Sequence, residues 1–590
     1  MFGRRVVLLA QLKTKRRSKS LKQVNRALDK GLERNGVQFE QIIWILAVLI
    51  TCFLILLPIG WLLIKSMISE GNISGVLWIK YLLNDRSTIQ AVVNTIILSS
   101  SVAAIGVLIG VPLAYGVSRT NMLGKKLVQA SIVLAIITPP FLRTMAYILL
   151  LGPNAGYINM FLRRFFFPEL TRGPISIYSM LGMILLCTPS GIAQVFVLVS
   201  STLSHMDPSL EEAARIGGAG FLKTAWTVAI KMSRNAIYAA ALMTFTVTLA
   251  LYGTPHMLGI DVITTRIRRA ILMPINFDQA SVLSGFIVVL AILALYLYRR
   301  FVGNMDQFQT VTGKGFRPKV LKIGKFRHLF TFLGLVYGFL SFVLPYSSLI
   351  LMSLMRTVGE YGLDNFTLKN YLYVFTDSFS LNAIKNSTIL AVGSATVCVL
   401  LSIVISYIVV RTKIKGRALL DYISVLPLGV PGTALAVGLV LVYTSPPLRG
   451  LGFYGTLWIL FIAYLTRFLP KAVRTTGTSF MQIGKELEEA ARMCGAGWFS
   501  MLRRVTIPLV KQGIAYAWVL VFLAVLPELS SSVLLRHLGN DTVATAILDI
   551  WGGAEGFPKA CAMGSAVFLL VAIVFLHTQR MVKKSALDIN

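Results

Sequence analysis

Long apolar stretches alternate with short polar ones along almost the whole chain. They fall at about 43–66, 91–117, 127–150, 177–201, 236–257, 280–299, 329–353, 386–410, 418–443, 455–478, 513–534 and 560–577. Each can cross a hydrocarbon layer of ~30 Å as a helix rising ~1.5 Å per residue. Inside such a layer every backbone polar group must find its partner within the segment, so each stretch predicts a helix. The pattern predicts an all-α polytopic membrane protein of about twelve transmembrane helices.

Composition agrees and excludes other classes. Of 590 residues, 56% are hydrophobic and only 14% charged, against roughly 25% charged in soluble domains. A soluble enzyme, a disulfide-rich secreted scaffold and a disordered chain are excluded. The formal charge of +33 does not point to nucleic acid, because the basic residues sit in a tail and in alternate loops. The first forty residues hold eleven Lys or Arg against three acids, which places the N-terminus in the cytoplasm. The first apolar run is too long for a cleaved signal peptide and is expected to remain as an anchor. Counting alternately puts Arg119/Lys125/Lys126, Arg411/Lys413/Lys415/Arg417, the linker 302–328 and the tail 579–590 on the same side. Arg163/Arg164/Arg172 and Arg266/Arg268/Arg269 dissent. The five cysteines are scattered without CxxC spacing, so neither a disulfide nor a metal site is expected.

The chain repeats itself. Residues 94–120 and 386–412 align without a gap at an offset of 292, matching Asn94, Tyr115 and Arg119-Thr120 with Asn386, Tyr407 and Arg411-Thr412. Pro139 continues the register onto Pro431. Farther on the offset becomes 277, placing the extra residues of the first half in its outer loop 151–176. The expected units are a basic tail 1–42, a six-helix unit 43–301, a linker 302–328, a second six-helix unit 329–578 and a tail 579–590. An even number of spans per unit makes this a parallel repeat, with a pathway expected between the halves.

One repeated segment carries chemistry. Glu211-Glu212-Ala213-Ala214, then Gly218, then Val228-Ala229-Ile230, returns as Glu488-Glu489-Ala490-Ala491, Gly495 and Val505-Thr506-Ile507-Pro508. It reads as a short helix, a bend and a second helix. Asp207 is a good N-cap and Pro208 suits the first helical position. The glutamates fall in the first turn, where negative charge suits the helix dipole. The alanines let another surface approach, and the glycines permit the positive φ that ends a helix.

This duplicated Glu-Ala-Ala-x3-Gly-x9-Ile pattern resembles the signature of permease subunits of binding-protein-dependent ABC importers. The resemblance covers residues 43–578. It implies that the loop is the coupling element whose short helix docks on an ATP-binding subunit, with Glu211, Glu212, Ala213, Ala214, Gly218, Glu488, Glu489, Ala490, Ala491, Gly495 and Pro508 in that role. The first copy departs from the pattern at Lys231, where the second has Pro508. The chain has no GxxxxGK[ST], so it is not expected to be an enzyme. It needs no cofactor of its own, ATP and Mg2+ residing on the partner. The implied partners are two copies of an ABC ATP-binding subunit, an extracytoplasmic solute-binding protein and the lipid bilayer. The implied location is a bacterial-type inner membrane, with both termini cytoplasmic.

Fusion of two units, with Leu150 to Asn154, Tyr252-Gly253-Thr254-Pro255 and Glu528 to Arg536, resembles the ferric-iron transport permeases. Related permeases serve phosphonates, phosphorylated sugars, thiamine and polyamines. An ion-coupled secondary transporter of twelve spans is the rival of another class. Within the spans, Arg143, Arg467 and Glu528 are candidates to line the pathway, because intramembrane charge is costly. Snorkelling or an interhelical ion pair is the competing account of each. Pro139, Pro427 and Pro431 are expected to break helices within the membrane. Arg143 and Arg467 suit an anion or an anion-complexed ion, whereas ferric ion prefers oxygen ligands. No catalytic constellation is present.

Overall fold

A computed structural model describes residues 41–303 and 320–587, apart from 70, 71, 74, 273, 361, 447, 554 and 555. Nearly all of the basic N-terminal tail, the central part of the linker and the last three residues lie outside the described residues. Among the described residues the chain is helical save for one two-residue antiparallel pair, Ile68–Ser69 with Asn72–Ile73.

Eight helices are long and apolar enough to cross a membrane: Gln41–Met67, Arg86–Arg119, Met180–His205, Phe277–Tyr298, Phe326–Ser353, Ser378–Arg411, Trp498–Val525 and Gly556–Thr578. Two more predicted spans are bent pairs. Lys125–Ile136 meets Pro140–Leu151 at 103°, and Arg417–Leu428 meets Gly432–Thr444 at 109°. Counting each pair as one gives up to ten spans among the described residues, not twelve uninterrupted ones. The other two stretches form the helices Lys231–Leu249 and Leu457–Met481. They are less apolar for a visible reason: the first opens on Lys231, Ser233, Arg234 and Asn235 and carries three threonines, and the second carries Arg467, Lys471 and Arg474.

Proline explains both bends. Pro140 has no N–H to donate and pushes the residue before it out of the helical region. Pro139 is accordingly extended, at φ −61° and ψ 129°. Pro431 takes the same extended conformation, at φ −58° and ψ 140°, although Gly432 follows it. There Pro431 itself has no N–H to return to the 3-10 turn at Leu426–Leu428 and disfavours helix at the residue before it.

The first helix of each unit packs on the bent pair of the other. In one direction Gly438 lies against the Pro58 backbone, and the next helix, Leu457–Met481, adds the Thr466 hydroxyl, which donates to the Leu54 carbonyl at 2.9 Å. In the other, Gly334 and Gly338 lie against Val128 and Ser131, and the Tyr147 hydroxyl donates to the Leu340 carbonyl at 2.6 Å. One apolar core results, with Ile55, Leu142 and Leu283 of the first unit packed among Leu349, Leu435 and Leu460 of the second.

The repeated residues make repeated bonds. Asn94 Nδ2 donates to the Asp261 carbonyl at 2.8 Å. Its counterpart Asn386 donates to the carbonyls of Gly539 and Asp541 at 3.1 and 3.0 Å. One residue on, Thr95 and Ser387 accept from the backbone N–H groups of Ile263 and Val543. Thus the 34-residue helices Arg86–Arg119 and Ser378–Arg411 are fastened at one end to the loop after the fifth helix of their own unit.

The arginines that break the charge pattern are held locally. Arg163 donates to the carbonyls of Thr171 and Asn154, closing a loop around the extra helix Tyr157–Phe165 of the first half. Arg266 pairs with Asp85 at 3.0 Å, and Arg269 with Asp261 at 2.8 Å. Burial alone would raise the Asp85 pKa, but hydrogen bonds from Ser87 and Thr88 and the Arg266 guanidinium bring it down to about 2.

A Cβ on Gly438 would come within 2.5 Å of the Pro58 carbonyl oxygen, whereas one on Gly60 would meet nothing within 4 Å. Gly438→Ala is therefore expected to destabilise the chain by about 1–3 kcal/mol, the usual cost of overpacking. Gly60→Ala, in the same contact region, is expected to be neutral or slightly stabilising. Thermal unfolding of the two variants in one detergent decides it. Equal melting temperatures would remove the close packing between units as a source of stability.

Candidate functional site

The two acidic segments fold alike. Pro208–Ile216 is a helix capped by Asp207, whose side chain accepts from the Ser209 N–H at 2.9 Å. The second, Glu486–Met493, has Lys485 at the N-cap and no side-chain cap. Both end on a left-handed glycine, Gly218 at φ +81° and Gly495 at φ +83°. Ala219 and Ala496 then donate to the carbonyls of Ala214 and Ala491, closing the turn in both copies. Beyond it each chain makes a wide π-turn, Ala225–Ile230 or Leu502–Thr506, and enters the next helix at Lys231 or Ile507. Lys231 therefore occupies the place of Pro508 in an equivalent backbone, and its side chain is exposed.

The paired glutamates divide their work. Glu211 is 1% exposed and Glu488 7%, each turned inward against an arginine at the end of a 34-residue helix. Arg119 Nε donates to Glu211 at 2.9 Å, and the Tyr115 hydroxyl donates to the same carboxylate at 3.3 Å. Arg411 Nε lies 3.3 Å from Glu488, which also accepts from the Thr506 hydroxyl at 3.2 Å. Each guanidinium further donates to an equivalent carbonyl, Met206 for Arg119 and Ile483 for Arg411. Sequence reasoning singled out the glutamates and noticed that Arg119 and Arg411 repeat, but did not join them. The signal was there: each arginine recurs with its glutamate.

Glu212 and Ala214 are half-buried, Ala213 exposed; Glu489 and Ala490 are exposed, Ala491 half-buried. Around them stand large apolar side chains in open space. Ile216 and its counterpart Met493 are each 89% exposed, and Leu210, Leu222, Leu487 and Phe499 are exposed at matched positions. These exposed side chains did not enter the sequence reading. Behind the first copy, Phe221 packs on Tyr115 and on Phe326 and Phe330, from the first helix of the second unit.

The intramembrane candidates form a second, unequal pair of sites. Arg467 pairs at 3.0 Å with Glu528, which lies just past the end of the helix Trp498–Val525. Glu528 also accepts from the backbone N–H groups of Ser531 and Ser532 and from the Ser532 hydroxyl. A Cβ on Gly432 would fall 1.5 Å from Arg467 Nη1, so glycine leaves the guanidinium its place beside the bend at Pro431. In the first half the position 277 residues before Arg467 is Ser190. Arg143, just past the bend at Pro139, donates to the Ser190 hydroxyl at 2.6 Å. Arg143 is 1% exposed, with Nε and Nη1 unpartnered among the described residues. The counterpart of Glu528 there is Leu251. Among the described residues no three His, Cys, Asp or Glu side chains gather as a metal site would require.

Residues 106–306 and 399–584, one stretch in each repeat, match the family described as binding-protein-dependent transport system inner membrane component. The chain is similar to the ferric transport system permease protein FbpB of Actinobacillus pleuropneumoniae, 26% identical over 525 residues, covering 87% of this chain and 74% of that protein. It is similar to a putative ferric transport system permease protein of Haemophilus influenzae, 26% identical over 482 residues, with 80% and 74% covered. Among solved structures it matches a chain from a bacterial ABC transporter involved in the import of the acidic polysaccharide alginate. That match has 19% identity and a TM-score of 0.36, covering 48% of this chain and 99% of the other.

Removing one partner of a buried ion pair leaves a charge stranded, at a cost of roughly 3–5 kcal/mol, while removing both is far cheaper. Arg119→Leu and Glu211→Leu are each expected to lower thermal stability strongly, and the double variant to recover most of the loss. Glu488→Leu is expected to cost less, its pair being longer and less buried. A double-mutant cycle on the solubilised chain measures this. Additive losses at Arg119 and Glu211 would mean that the two side chains are not coupled.

Proposed function

We propose that this chain, which belongs to the binding-protein-dependent transport system inner membrane components, imports ferric iron across a bacterial inner membrane. It is the permease component of an ABC importer, so an ATP-binding subunit and a solute-binding protein are its partners. Iron is supported by the names of its relatives and by the length of chain they share with it. ATP and Mg2+ belong to the partner subunit.

The observation that carries the mechanism is the pair of matched acidic helices, each anchored from within by arginine and offering exposed apolar side chains outward. Two such surfaces call for two copies of the ATP-binding subunit. Glu212 and Glu489 border each surface, while Glu211 and Glu488 hold it to the membrane part. Docking of both copies would bury Ile216 and Met493, worth ~25 cal/mol per Å² of apolar area removed from water.

The anchoring also suggests how force crosses the membrane. A 34-residue helix is about 50 Å long. Its inner end is bolted to the acidic helix by Arg119 or Arg411. Its outer end is tied by Asn94 or Asn386 to the loop after the fifth helix. A rigid-body displacement of the acidic helix on ATP binding would therefore reach the opposite face, opening and closing the route between the units. Both termini lie in the cytoplasm in this scheme. Twelve crossings follow if the bent pairs and the helices Lys231–Leu249 and Leu457–Met481 all traverse.

Ile216→Asp with Met493→Asp is expected to abolish co-purification of the ATP-binding subunit. Gly495→Val should reduce iron uptake at least tenfold, since a β-branched residue is strained at φ +83°. Glu489→Lys should do so by reversing charge at the rim, with Glu212→Lys and Gly218→Val acting in the same direction. Normal uptake by all of these in a folded chain would dismiss the docking assignment. Reporter fusions at Lys314 and Lys584 should score cytoplasmic, and those at Asn154 and Asp364 outside. Radiolabelled ferric uptake, compared between a strain lacking this gene and its parent, tests the substrate; equal uptake rules iron out.

A further inference from the structure

The helix Leu457–Met481 presents charge where a lipid-facing helix would present apolar side chains. Arg467, Lys471 and Arg474 stand at i, i+4 and i+7, on one face, spread over about 10 Å of helix length. Between Trp458 and Met481 the exposed residues of this helix are Lys471, Arg474 and Thr478. Every apolar residue between those limits is buried or half-buried. Arg474 lies about two turns from the helix end at Met481, but Lys471 stands farther in, and an exposed ammonium there is far too costly against acyl chains, so this face borders water.

The charges on it are not balanced. Arg467 is paired with Glu528, and Arg474 lies 3.3 Å from Asp421 while remaining 50% exposed. Arg467 lies beside Gly432 and Arg474 beside Asp421, both of the bent pair Arg417–Leu428 and Gly432–Thr444, so the row of cations runs past the bend at Pro431. Lys471, between them, has no carboxylate partner among the described residues; its ammonium rests 5.2 Å from the Phe468 ring centroid. The equivalent positions of the first unit carry no charge of either sign. The positions equivalent to Arg467, Lys471 and Arg474 are Ser190, Gln194 and Val197, and the one cation added nearby, Arg143, is itself without a carboxylate.

We propose that Arg467, Lys471 and Arg474 form an oxyanion-attracting wall of the import route, so that ferric ion crosses complexed with an oxyanion (carboxylate, carbonate or phosphate) and not as a bare trivalent cation. The inference rests on the importer reading for its direction of transport. A bare Fe3+ passing within 4–6 Å of an unpaired ammonium in a water-filled, low-dielectric cleft meets repulsion that a neutral or anionic complex does not. The wall also explains why no carboxylate cluster lines this face: the oxygen ligands of the iron travel with it.

The test uses the complete transporter in proteoliposomes. Lys471→Cys and, separately, Arg474→Cys are treated with methanethiosulfonates carrying either a sulfonate or a trimethylammonium group, the parent chain giving the background. The sulfonate reagent is expected to be favoured at least tenfold over its preference with free cysteine in solution. No reaction at either position, or a preference for the cationic reagent, overturns the wall. In the same vesicles Lys471→Glu should lower ferric uptake at least tenfold, and Lys471→Arg should preserve it, with the ATP-binding subunit retained in both. Undiminished uptake by Lys471→Glu refutes the complexed-ion route while leaving the importer intact. A parent that takes up no iron refutes the substrate assignment, and with it the complexed ferric ion, although the labelling ratio still decides whether the wall attracts anions.

Discussion

Burying a guanidinium is costly unless a carboxylate lies against it, and much of this structure is arranged around two such pairs. Arg119 with Glu211, and Arg411 with Glu488, close the junction between a 34-residue helix and a short acidic helix. The desolvation cost of each charge is offset only while its partner is in place. The acidic helix therefore cannot drift from the long helix without stranding two charges. Tyr115 in one copy and Thr506 in the other add a hydroxyl to the same carboxylates, using different residues for one purpose. What would otherwise be a loop between spans becomes a rigid projection with its apolar residues outward.

The same rigidity is carried between the units by exchange of their first helices. Gly438, Gly334 and Gly338 let these helices approach the bent pair of the other unit, and Phe326 and Phe330 continue the contact down to Phe221 beside the first acidic helix. A movement at one acidic helix thus meets side chains from both halves. The bends at Pro139 and Pro431 sit inside this crossed packing, which holds the extended residues on either side.

The two halves share a frame but not a charge distribution. Bonds at Asn94 and Asn386, at Arg119 and Arg411, and at the left-handed glycines are duplicated almost atom for atom. The intramembrane charges are not duplicated: Glu528 faces Arg467, while Leu251 takes its place in the first half; Lys471 stands where the first half has Gln194, and Arg474 where it has Val197. Symmetry is kept where the frame must be anchored twice and is given up along the face that carries Arg467, Lys471 and Arg474.

Apolar runs determined the helical class and the position of each apolar helix, and residue identities recurring at fixed offsets determined the duplication and the acidic segments, because both are local to the chain. The prolines located the bends, since a missing N–H acts within its own turn. The count of uninterrupted spans was not legible: a run such as 127–150 is equally apolar whether straight or folded through 103°, and only packing against the other unit fixes the angle. Glu211 and Glu212 are adjacent and identical in type, so nothing local separates them. Tertiary structure turned one toward Arg119, 92 residues away in the chain, and left the other near the surface. Arg467 and Arg143 looked alike for the same reason. Whether a charge in the membrane is answered depends on which helix lies beside it, and that is decided by three-dimensional neighbours rather than by sequence neighbours.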